Sequence, residues 1–241
     1  MNLLAQAPVL LPSGWDTTLQ MALRWVHILS GITWIGLLYF FTLVATPLIP
    51  TLESPARGKV IAAVMPRALW WFRWSAQVAV IAGVTYWILI LLAERAPLAR
   101  TLLVWAALIT TAFGIQLLML RLAVLTKSRR AFVLAILTVV GLQGHLMMKL
   151  LPYSGATHRA LSIAVGGGLG FFLLLNVWEI VWPAQRGFLA WCAANPGQPP
   201  PPELSERLRR AQLVSRASFW LTFPLLFFMA AASHFPFFVM G

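Results

Sequence analysis

The residues of this chain best equipped for chemistry are its four histidines, His27, His145, His158 and His234. Imidazole carries protons near neutral pH and is the commonest metal ligand. Each of the four lies within or at the edge of a long apolar run. An ionisable group at membrane depth is costly to hold, which makes it a functional candidate; the competing reading is a hydrogen-bonded residue inside a helix bundle. His27 sits in Arg24-Trp25-Val26-His27-Ile28-Leu29-Ser30-Gly31. A mirrored set, Gly141, His145 and Lys149, lies in a later run. Residues three or four apart share a helix face, so each helix would present a cation, an imidazole and a position without a side chain, in that order inward. A b-type haem uses such a set. Its iron takes axial imidazoles, its propionates pair with cations, and its ring needs backbone with no Cβ in the way. His27 and His145, at matching depth, are the expected ligand pair for haem iron, and one b-type haem, or two, is the expected cofactor. His158, beside Arg159, and His234 look shallower. They could ligate a second haem, pair with propionates or line a docking face.

These residues need helices to position them, and the composition supplies them. The chain has 241 residues, 60% of them hydrophobic and 10% charged, with mean hydropathy +0.82. A soluble domain carries about 25% charged residues. The expected fold is an all-α membrane protein, a single domain over residues 1–241. About six transmembrane helices are expected, near residues 19–45, 67–93, 99–125, 131–151, 157–182 and 218–235, each long enough for the roughly 20 residues a bilayer requires. An amphipathic helix over residues 203–215, after the run Pro199-Pro200-Pro201-Pro202, precedes the last span, which Pro224 is expected to kink. Residues 3–11 form a short apolar stretch suited to the interface. The first fifteen residues have no basic n-region, so the first span is expected to remain uncleaved. Gly166, Gly167, Gly168 and Gly170 fall inside the fifth span and read as close helix packing rather than a nucleotide loop.

Charge sets the orientation. The net charge is +12, and most basic residues fall in the loops after spans one, three and five, among them Arg57, Lys59, Lys127, Arg129, Arg130, Arg186 and Arg207. By the positive-inside rule those loops are cytoplasmic. Both termini, and all four histidines, then belong to the outer half of a bacterial inner membrane. The basic loops read as topology and lipid-headgroup contact, with no nucleic-acid partner. Cys192 is the single cysteine, which excludes an internal disulfide, a thiolate metal cage and a Cys-x-x-Cys-His haem attachment. No serine, cysteine or carboxylate constellation points to hydrolysis. Arg73 and Arg121 read as snorkelling side chains, and Glu179 as a helix-end salt bridge.

Four segments carry a family resemblance. They are Arg24-Trp25-Val26-His27 with Trp34-Ile35-Gly36; Trp71-Phe72-Arg73-Trp74; Asn176-Val177-Trp178 with Trp182-Pro183-Ala184-Gln185-Arg186; and Leu221-Thr222-Phe223-Pro224 with Met229 and Ser233-His234-Phe235. With these the chain resembles the N-terminal membrane domain of the membrane-bound urate oxidase (urate hydroxylase) family, often fused to a C-terminal cytochrome c. The resemblance matches His27, His158 and His234, and not His145, which makes His158 the alternative partner of His27 on the haem iron. It departs from the family at Arg216-Ala217-Ser218-Phe219 and at Ser75. No fused cytochrome c domain is expected here, so the resemblance implies a separate periplasmic c-type cytochrome or a respiratory complex as partner. Three functions follow as expectations: an electron-transferring b-type haem protein, a urate-oxidising membrane enzyme, or a haem-free structural subunit.

Overall fold

The computed structural model describes residues 15–236, so the apolar stretch at residues 3–11 lies outside the described residues. Six helical stretches among them are long and apolar enough to cross a membrane. Helix α1 (Trp15–Tyr39) continues through a π-helical turn, Phe40–Ala45, into the short α2 (Thr46–Leu48). Helix α3 (Ser54–Ala63) leads into α4 (Met65–Ala93), which carries Pro66 in its first turn, where the missing N–H costs nothing. Then come α5 (Leu98–Met119), α6 (Ala123–Lys127), α7 (Arg129–Leu150), α8 (His158–Leu175), α9 (Trp182–Ala194) and α10 (Pro202–His234). Side-chain caps start two of them. Ser128 accepts from the N–H of Ala131 at 3.3 Å, and Thr157 from that of Ala160 at 3.2 Å.

Three boundaries differ from expectation. The third span stops at Met119 rather than near 125, and the rest of its apolar run turns into α6. The fifth does not end at Trp182-Pro183. A π-helical turn, Asn176–Val181, carries the chain into α9 with Pro183 in its first turn, a position proline tolerates. The amphipathic segment and the last span form one helix, α10, with Pro224 inside it.

Helix α8 is the axle of the bundle and is buried along most of its length, whereas α1 is exposed along most of its own. The glycines of α8 allow this. A Cβ at Gly166 would lie 2.5 Å from the methyl of Met229, and one at Gly168 would lie 2.7 Å from that of Met147. Outward-facing side chains are apolar; Leu103 is 71% exposed and Ile32 66%. Such a surface suits lipid and not water, and the chain is a multi-pass membrane protein.

Two polar devices fix the bundle. At the end where the histidines lie, the Glu94 carboxylate accepts from Tyr153, from the Thr157 hydroxyl at 2.6 Å and from the Thr157 N–H at 3.3 Å. This joins the α4–α5 corner to the α7–α8 loop. Burial, then the hydrogen bond and charge of Glu94, push the Tyr153 phenol above its ordinary range. Deeper in the bundle, Gln116 donates to Asn176 at 2.5 Å and Asn176 donates to Ser218 at 3.1 Å, linking α5, the π-turn and α10. Such links matter in lipid because no water can replace them.

Candidate functional site: a histidine-lined cavity

A cavity of about 460 Å³ opens between α1, α4, α8 and α10, with Trp105 of α5 at its side. That volume is in the range of small-molecule sites. Its lining is largely apolar and aromatic, with Trp34, Tyr39, Tyr86 and Trp87 among the walls. One histidine, His27, lines it among the described residues.

The geometry around His27 is specific. Its Nδ1 lies 2.7 Å from the backbone oxygen of Ala79. A carbonyl only accepts, so Nδ1 donates to it, and in the neutral imidazole Nε2 then keeps its lone pair. The imidazole reaches that carbonyl through a notch in α4. A Cβ on Gly83 would lie 2.8 Å from both Cε1 and Nδ1 of His27. Gly83, one turn from Ala79, therefore positions the ring, and the residue-by-residue reading of the sequence did not single it out. The small–three–small spacing of Ala79 and Gly83 is the signal that could have found it.

Arg24, one turn outward of His27, and Gly31, one turn inward, also line the cavity. Cβ atoms at Gly31, Gly36 and Gly167 would meet nothing within 4 Å, so these lining positions leave open space. At the mouth, the Arg24 guanidinium lies 5.9 Å and that of Arg159 5.2 Å from the centroid of the Tyr86 ring. The Tyr86 hydroxyl and the Trp34 indole N–H are buried without a hydrogen-bond partner. By contrast, the Trp87 and Trp105 indoles donate to the carbonyls of Ala160 and Ala164 at 3.0 and 2.8 Å. Tyr39 and Thr222 close the deep end through a 2.8 Å hydrogen bond.

The other candidates fall elsewhere. His145, Gly141 and Lys149 are exposed on α7 and do not line the cavity. The structure thus does not bring His145 to His27. The reason is packing: α7 buries Phe132, Ile136, Val140, Gln143 and Met147, and His145 is two residues from each of the last two, on the far side of the helix. His158 is half-buried. Its Nε2 donates to the Ala231 carbonyl at 3.0 Å and lies 3.3 Å from the Ser162 hydroxyl, tying α8 to α10 just outside the lining. His234 is exposed and bonds within its own helix, to Ala230 at 3.2 Å. Glu179 is exposed, and no ion pair holds it among the described residues.

A family model described as "Urate oxidase N-terminal" matches residues 53–241. The chain belongs to the urate oxidase N-terminal family. The match takes in the cavity walls built from α4, α8 and α10, including Gly83, Tyr86, Gly166 and Met229. It leaves out α1, so Arg24, His27 and Gly31 lie outside the matched residues. No curated protein and no solved structure matches the chain. The matched residues thus include three walls of this cavity, while the wall with the imidazole lies outside them.

Proposed function

We propose that this member of the urate oxidase N-terminal family is a membrane redox domain whose cavity would hold a b-type haem, with His27 as the residue that would ligate its iron, and which exchanges electrons with a periplasmic c-type cytochrome or a respiratory complex. The observation that carries the reading is the hydrogen bond from His27 Nδ1 to the Ala79 carbonyl. Ligating histidines almost always donate their second nitrogen to a carbonyl, a carboxylate or water, which fixes the ring and raises its basicity. The rest of the lining fits the group. Arg24 and Arg159 can pair with propionates at the mouth, and the unpaired Tyr86 hydroxyl and Trp34 indole offer donors. Gly31, Gly36 and Gly167 leave room beside a planar ring. When bound, the haem supplies one-electron chemistry. The chain's own residues hold the ligand, balance the acid groups and exclude water with indole walls. The basic loops put the opposite end in the cytoplasm, so the cavity mouth faces the periplasmic side of a bacterial inner membrane, with both termini outside.

A second reading is oxidation of urate or a related small substrate in the same cavity. It is favoured by the single histidine in the lining. Met229, Tyr39 and Tyr86 are the other lining side chains of types that ligate haem iron, and the Met229 methyl packs against Gly166 of α8.

An optical spectrum of the purified protein tests both. A reduced-minus-oxidised b-type band is expected, and a protein without one would be a haem-free structural subunit. A high-spin ferric form would favour substrate oxidation. A low-spin form that turns high-spin in Met229→Leu would favour electron transfer alone.

A further inference from the structure

The end of the bundle away from the cavity holds a second unusual side chain, Arg73 of α4. The sequence reads it as a snorkelling residue, yet it is half-buried among three indoles. Its guanidinium carbon lies 5.3 Å from the ring centroid of Trp74, 5.1 Å from that of Trp178 and 3.9 Å from that of Trp182. Trp178 ends up beside Trp182 because the π-turn Asn176–Val181 runs straight into α9.

Stacking on ring faces leaves the edge of a guanidinium, with its N–H groups, for an acceptor. Among the described residues the protein provides none. The ion pairs among the described residues are those of Glu206 with Arg209 and Arg210. Arg73 Nε and the Trp178 indole N–H are both buried without a partner. Glu179, next to Trp178, is exposed and pairs with neither. A cation among indoles with a buried donor, Nε, left unsatisfied is costly unless an anion joins it.

We infer that Arg73, Trp74, Trp178 and Trp182 form a binding site for a phosphate oxyanion, the headgroup of an anionic phospholipid in the leaflet at that end. The phosphate accepts from the guanidinium fork, the geometry in which arginine recognises phosphate. The direction of access favours a lipid over a solute. Trp71, Trp74 and Val78 are 58%, 40% and 42% exposed and follow the lipid-facing side of α4 past Arg73. Arg73 lies eight residues into α4, roughly 12 Å along the helix from Met65, a depth that suits a headgroup drawn in from the interface. Arg67 and Arg186 add positive charge at the same end.

The test is native mass spectrometry of the full-length protein in detergent, after incubation with equimolar phosphatidylglycerol and phosphatidylcholine. One phosphatidylglycerol should be retained at least ten-fold over phosphatidylcholine. Arg73→Gln should lose that preference, and Arg73→Lys, which keeps the charge and loses the fork, should retain part of it. Inorganic phosphate is the second probe. If it is retained in place of phosphatidylglycerol, the oxyanion site stands and a soluble phosphate is its occupant. Equal retention of the two lipids by the wild type, with no phosphate bound, overturns the proposal even if Arg73→Gln does not fold. Unchanged preference in a folded Arg73→Gln overturns it as well.

Discussion

Helices α1 and α7 each carry a cation, an imidazole and a glycine at helical spacing, in mirrored order, and the bundle uses them in opposite ways. On α1, Arg24, His27 and Gly31 face the cavity. On α7, Gly141, His145 and Lys149 are exposed. Spacing tells which residues share a face. It does not tell which face turns inward. That choice is made by what the rest of the helix buries and by what waits on the neighbour. Helix α7 has a continuous buried stripe of larger side chains, Phe132, Ile136, Val140, Gln143 and Met147, and this stripe takes the interior. Helix α1 buries few residues, Trp34 and Leu38 among them, and is held to α4 where Gly83 opens a path to the Ala79 carbonyl.

Breaking that asymmetry gives the largest expected effect. His27→Ala removes the cavity's imidazole and should abolish bound haem, read as pyridine haemochrome per protein. Gly83→Ala comes next. Its methyl would collide with the His27 ring at 2.8 Å, so the ring must leave the Ala79 carbonyl. Haem occupancy should fall several-fold, and the overpacking should cost about 1–3 kcal/mol in thermal stability. Gln116→Leu tests whether the effect is local to the cavity. It leaves Asn176 without its donor at a cost of about 1–3 kcal/mol, lowering the melting temperature in detergent while haem occupancy per folded protein stays unchanged. Tyr153→Phe should be the mildest, losing about 1.5 kcal/mol, the low end for a hydrogen bond to a charged group, because this one is only partly buried. The raised phenol gives it a pH signature. The folded state holds that proton more tightly than the unfolded chain. The Tyr153 contribution is therefore intact below about pH 10 and is lost as pH rises further. Wild type should lose its advantage over Tyr153→Phe in alkaline melts, and a gap that persists there would put the hydrogen bond elsewhere.

Much of the fold was legible in the sequence, because long apolar runs in a chain this poor in charge have few alternatives. The six spans were readable. The continuous passage through Pro183 was not, because proline in a first turn and proline as a terminator look alike in sequence. At the site, His27 and its flanking Arg24 and Gly31 were readable from spacing. The residue that seats the ring, Gly83, lies on another helix, 56 positions away, and only packing joins the two. Trp71-Phe72-Arg73-Trp74 was readable as an interfacial belt; the third and fourth members of the Arg73 cluster, Trp178 and Trp182, come together through a π-turn that residue types do not announce.

The most direct test of the central claim is haem content in wild type, His27→Ala and His145→Ala, purified in parallel and measured as haem per protein with the reduced-minus-oxidised spectrum. The cavity account predicts a full b-type signal in wild type and in His145→Ala, and none in folded His27→Ala. Haem that survives loss of His27, or disappears with His145, would contradict it.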